Sequence, residues 1–197
     1  MEQIYLAMWE KAKPYYKKGR VYDIDQVSWM MKEGERIAEL EKVDKKLLLP
    51  IIILHDVGYS VVGQKNPHIK DKNIKELHMR EGAKITQKIL EELSYDPELS
   101  KKIVYYISKH DNWVLGDDTP FKECKEMALF NDLEFLYVTS SHQAFKYCAE
   151  SMKMNEKEFY KFWETDEKLT RRPFCCEETK KMWKHMMKEF KKVTEKK

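Results

Sequence analysis

Residues 47–54, LLLPIIIL, are apolar without a break, and the next two residues are His55 and Asp56. A segment that is apolar on every side has to be buried on every side. It is far shorter than the roughly 20 residues needed to cross a bilayer, so it predicts the central helix of a helical core, beginning after Asp44 as N-cap. Pro50 inside it predicts a kink or a late start, because proline removes a helix hydrogen bond. The helix then ends by placing an imidazole and a carboxylate in the core, and a buried carboxylate requires a cation, a metal or several donors.

The rest of the chain reads as further helices joined by short connections. Gly and Pro number only six each in 197 residues, while Lys, Glu, Leu and Met are plentiful, which favours helix over the turn-rich pattern of a sandwich or barrel. Apolar spacing predicts helices over about 2–18, 23–41, 74–93 and 97–109, with Pro14 bending or ending the first. Another opens at Thr119 and Pro120 and carries Asp132, and two or three more follow residue 141. Asp23 with Gln26 three residues on has the form of a capping box, Asp96-Pro97 is a helix start, and Gly58 suits a left-handed C-terminal position. Residues 59–73 read as a loop able to move, and Gly82 as a point of close helix packing.

The charges, 37 basic against 34 acidic, are interspersed, which argues against a nucleic-acid polymer as partner. The first residues lack the apolar core of a signal peptide. The cysteines at 124, 148, 175 and 176 have no CxxC spacing, which suits a reducing, cytoplasmic setting without a membrane.

Of six histidines, three fall at helix ends or on an inward face together with aspartates: His55 with Asp56, His78, His110, and Asp132. Mixed imidazole and carboxylate donors suit Mn, Fe, Co, Ni or Zn, whereas an all-oxygen set points to Mg or Ca. Facing helices can bring such distant positions together. A single histidine at a helix end is more often a partner of the helix dipole.

The segments LLLPIIILHDVGY, HMREGAKITQKIL, IVYYISKHDNW and MALFNDLEFLY resemble, in order and context, the HD-domain superfamily of metal-dependent phosphohydrolases. The likeness covers about residues 20–140; residues 142–197 form a C-terminal helical extension outside it. The resemblance implies an all-α, HD-domain-like helical bundle. It implies that His55, Asp56 and Asp132 hold a metal, that His78 and His110 match the added histidines of two-metal branches, and that the first motif histidine is replaced by Gln26 in DIDQV. Gln26 is then either a weak ligand or only a capping residue, and Asp25 is a remote substitute.

The implied activity is hydrolysis of a small phosphorylated compound, a nucleotide or related phosphoester, with one or two divalent ions: Mn, Fe, Co or Ni first, then Zn or Mg. Asp56 bridges the ions, and Asp111 orients water or the leaving group. Arg20, Lys72 and Lys109 are the expected phosphate clamps, while Arg171 and Arg172 before Pro173 read first as ordinary helix-end residues and second as a further phosphate contact. Tyr59 and Trp113 either stack on a base or seal the core. A di-iron oxygenase and a non-catalytic regulator are the competing readings, and a homodimer is compatible with both.

Overall fold

The computed structural model describes residues 1–63 and 70–194, and every regular element among them is helical. The helices are α1 (Gln3–Lys18), α2 (Asp23–Glu41), α3 (Lys45–Leu54), α4 (Tyr59–Val62), α5 (Lys72–Glu92), α6 (Pro97–Ile107), α7 (Asn112–Leu115), α8 (Pro120–Glu123), α9 (Lys125–Tyr137), α10 (His142–Ser151), α11 (Glu156–Glu164), α12 (Lys168–Arg171) and α13 (Glu177–Thr194). Of the expected loop at 59–73, residues 64–69 lie outside the described part. Its first residues form α4, and Asp71 caps α5 by accepting from the Asn73 and Ile74 amides.

As its composition requires, α3 is the hub. It is buried from Leu47 to Leu54 and packs against α1, α2, α6 and α9. Asp44 caps it, accepting from the Lys46 amide at 2.8 Å. Pro50 neither delays nor ends it. The carbonyl that Pro50 leaves without an amide donor is that of Lys46, and the Tyr95 hydroxyl donates to it at 2.7 Å. Pro14 likewise sits inside α1.

Two local expectations are corrected. Gly58 is right-handed, with φ −66, and its lack of a side chain serves a close approach: an added Cβ would lie 1.9 Å from the His78 carbonyl oxygen and 2.7 Å from the Gly82 amide. The close contact between the turn after α3 and α5 therefore belongs to Gly58, since a Cβ on Gly82 would meet nothing nearer than 3.5 Å. The capping box at Asp23 and Gln26 does not form. α2 has no side-chain cap, the Asp23 carboxylate accepts from Arg20 Nε at 2.7 Å, and Gln26 contacts the Met30 thioether.

The extension consists of four helices rather than two or three. It holds its own apolar cluster, in which Phe145, Phe159, Trp163 and Phe190 pack with Phe135 and Val138 from the end of α9. α9 thus belongs to two cores, and a cavity opens between them.

Candidate metal centre

His55 and His110 follow the ends of α3 and α6 and make the same local contact. Each places Nδ1 against the carbonyl three residues back, His55 on Ile52 at 2.9 Å and His110 on Ile107 at 2.7 Å. A carbonyl only accepts, so Nδ1 carries a proton in each ring and Nε2 is the nitrogen turned inward. α5 brings His78, whose ring stacks on Tyr59 at 4.1 Å. All three imidazoles are fully buried.

They converge on Asp56. Its Oδ1 lies 3.2 Å from His110 Nε2 and 3.5 Å from His78 Nε2, and its Oδ2 lies 3.4 Å from His55 Nε2. The Nε2 atoms of His78 and His110 are 3.1 Å apart, and Asp111 Oδ2 is 3.3 Å from His78 Nε2. Asp56, His78, His110 and Asp111 each offer one ligand atom within 4.8 Å of the others, and all are buried. At such distances each pair needs a shared proton or a cation between its members. The Nε2 of His55 is buried without a hydrogen-bond partner among the described residues. This mixed nitrogen and oxygen donor set fits a divalent transition metal.

Protein cations flank the group. Arg20 hydrogen-bonds Asp23 and Asp56 and stacks over the Tyr59 ring at 3.7 Å, and Lys75 donates to Asp111 at 2.5 Å. Burial works against ionising Asp56, but Arg20 and His55 outweigh it and hold the carboxyl well below its usual range. Burial likewise opposes ionisation of Asp111, and Lys75 overcomes it. For His55 burial is outweighed by the charge of Asp56, which holds the imidazole up to about 9; for His78 burial prevails and lowers it to about 4.

Asp111 also lines the cavity, together with Arg20, Gln26, Lys75, Trp113 and, from α9, Asn131 and Glu134. Burial, reinforced by Asp111, pushes the Glu134 carboxyl up to about 7. The extension adds Lys168 and Arg172 to the same wall. Arg172 is oriented by Asp118 at 2.9 Å and by Asn131 at 3.3 Å.

The structure thus assembles His55, Asp56, His78, His110 and Asp111, and places Gln26 and Arg20 on the cavity wall. It does not bring Asp132 to them. That carboxylate hydrogen-bonds Lys168, the Cys175 amide at 2.8 Å and the Thr179 hydroxyl at 2.7 Å. Glu134, two residues on and therefore on another face of α9, is the acid that faces the cavity. Lys72 is exposed at the first position of α5 and Lys109 is half-buried; neither reaches the cavity wall, and Lys75 is the lysine that α5 buries there. Lys75 precedes His78 by three residues on one helix face, a spacing that would have identified it. Tyr59 seals the core beneath Arg20 and His78, whereas Trp113 lines the cavity.

An all-helical bundle with buried histidines and carboxylates at the end of its central helix, opening on a basic cavity, defines a metal-binding helical protein. The family model for the HD domain matches residues 28–134, more than half of the chain, and the chain belongs to the HD-domain family. That family is in general one of metal-dependent phosphohydrolases. No curated protein and no solved structure matches the chain significantly. No helix among the described residues is long and apolar enough to cross a membrane.

Proposed function

We propose that this HD-domain protein is a metal-dependent phosphohydrolase acting on a small phosphorylated compound. The observation that carries the reading is the double position of Asp111, which belongs to the buried donor group and also lines a cavity bearing Arg20, Lys75, Lys168 and Arg172. Asp56, His78, His110 and Asp111 are the residues that would hold the ion, with His55 beside them. A divalent ion there acidifies bound water and polarises a phosphoryl oxygen.

The chain's own residues supply the rest. Arg20 is fixed by two carboxylates and a tyrosine ring, yet its Nη1 is buried without a partner among the described residues, so it offers a rigid donor to a phosphate oxygen. Arg172, held by Asp118 and Asn131, is a second preset cation. Glu134, with a carboxyl near neutrality, suits proton delivery to a leaving oxygen.

The pair His78 and His110 on one oxygen of Asp56 favours the two-iron oxygenase as second reading. Against it, Arg20 occupies the other oxygen of Asp56, beside His55, and neither an imidazole at position 26 nor the Asp132 carboxylate is there to complete a second ligand set. Metal analysis of the purified chain, followed by a phosphate-release screen with Mn, Fe, Co and Ni, tests the reading. One ion per chain with phosphate release supports hydrolysis. Two irons with oxygen-dependent turnover favour the oxygenase, and no bound metal under any condition defeats both.

A further inference from the structure

The cavity has two chemically different sides. Its polar side carries Arg20, Lys75, Asp111, Lys168 and Arg172; its other side is built from Tyr22, Phe135, Tyr137, Met152, Phe162 and Trp163. All but Tyr22 of the second group come from the end of α9 and the extension. Phe135 and Trp163 stack at 4.4 Å between centroids, which sets a flat apolar wall. Trp163 is only 8% exposed, and its Nε1 is buried with no hydrogen-bond partner among the described residues. A buried indole N–H without an acceptor is costly, and tryptophan in such a place normally finds one. On this side the Tyr22 hydroxyl is already engaged, contacting Cys148 Sγ at 3.4 Å.

A nucleobase presents a whole edge of donors and acceptors, most of which would be left unsatisfied against such a wall. An apolar ring or chain with a single acceptor loses nothing there. We propose that the C-terminal extension builds the specificity chamber of the enzyme and that the substrate is the phosphate ester of a largely apolar, flat alcohol carrying one hydrogen-bond acceptor for Trp163, a reading that rests on the phosphohydrolase function.

Calorimetric titration of the full chain with inorganic phosphate, phenyl phosphate, 4-acetylphenyl phosphate, glycerol phosphate and adenosine monophosphate tests this. Phenyl phosphate is expected to bind roughly tenfold tighter than phosphate or glycerol phosphate, by burial of its ring. The acetyl oxygen is expected to add roughly three- to tenfold, and Trp163→Phe to remove that increment, so that the variant binds the acetylated and the unsubstituted aryl ester equally. Equal affinity for phenyl phosphate and phosphate would overturn the chamber, as would tighter binding of the adenosine compound than of either aryl ester. Both outcomes leave the hydrolase reading standing. Its own failure reads differently, as absence of binding by every phosphate probe. The wild-type comparisons decide the matter even if the variant does not fold.

Discussion

Lys168 on α12 reaches back to the carboxylate of Asp132 on α9, and both groups are buried, at 1% exposure each. The pair joins the extension to the HD core, and the Cys175 amide and Thr179 hydroxyl complete the shell of the carboxylate. It therefore acts as a structural tie. Asp132→Asn should cost roughly 3–5 kcal/mol of stability, because it leaves a buried ammonium without its charge partner. Asp132→Asn combined with Lys168→Met should cost less than the sum of the single changes. Urea denaturation gives these energies, and metal content should stay at the wild-type value. Loss of the ion from a folded Asp132→Asn protein would return Asp132 to the ligand set.

Asp56 is the opposite case. It touches three imidazoles and Arg20, so no other donor can take over its position. Asp56→Asn should abolish metal binding, measured as ion per chain by elemental analysis, while the helical circular dichroism remains. Wild-type stoichiometry in this variant would refute the assigned centre.

Arg20 joins Asp23 and Asp56, and each is buried. Arg20→Met strands two carboxylates and should destabilise the chain by roughly 3–5 kcal/mol. Arg20→Lys keeps the charge but loses the fork that serves both partners, and should fall between. Chemical denaturation of the three proteins checks the order, and an unaffected Arg20→Met would show that the pair contributes nothing net.

What was legible in the sequence followed from local rules and pattern order. The unbroken apolar run required α3 to be central, and the Asp44 and Asp96 caps marked helix starts from side-chain chemistry alone. His55, His78 and His110 stood out as inward histidines among few. The phase of α9 was not legible. It is buried at Met127, at 129–133 and at 135–137, so no polar face shows which way it is turned, and Asp132 could not be told from Glu134 as the acid facing the cavity. Lys168 and Trp163 were beyond reach for another reason. Their roles exist only through contacts made across more than 25 residues of chain, in a region with no pattern to match.

In the chelator-treated chain, pH should act through His55 and His78 with opposite signs. His55 is raised to about 9, so its contribution is full below the unfolded value of about 6.5 and is lost as pH rises toward 9. His78 is lowered to about 4, so the unfolded chain binds the extra proton and stability is lost as pH falls from about 6.5 toward 4. His55→Asn should remove the alkaline loss. The wild type should lose about 3 kcal/mol more than this variant between pH 6.5 and 9, read from denaturation midpoints. Parallel losses in the two proteins would mean that His55 is not held in its charged form.

The two glycines at the contact between α5 and the turn after α3 make a final, sharply split prediction. A Cβ on Gly58 would meet backbone atoms of His78 and Gly82, which no rotamer change can move, the nearest at 1.9 Å. Relief requires α5 to shift by on the order of 1 Å. His78 travels with α5, so its 3.5 Å approach to Asp56 and 3.1 Å approach to His110 open together. Gly58→Ala should therefore lower stability and metal affinity in the same protein. Gly82→Ala puts its Cβ at ordinary contact distance, 3.5 Å from its nearest neighbours, inside a helix where alanine is favoured by up to about 1 kcal/mol. It should match or exceed wild-type stability and keep the ion. Thermal melts with and without added metal measure both effects, and a Gly58→Ala protein that binds metal normally would show that the position of α5 does not control His78.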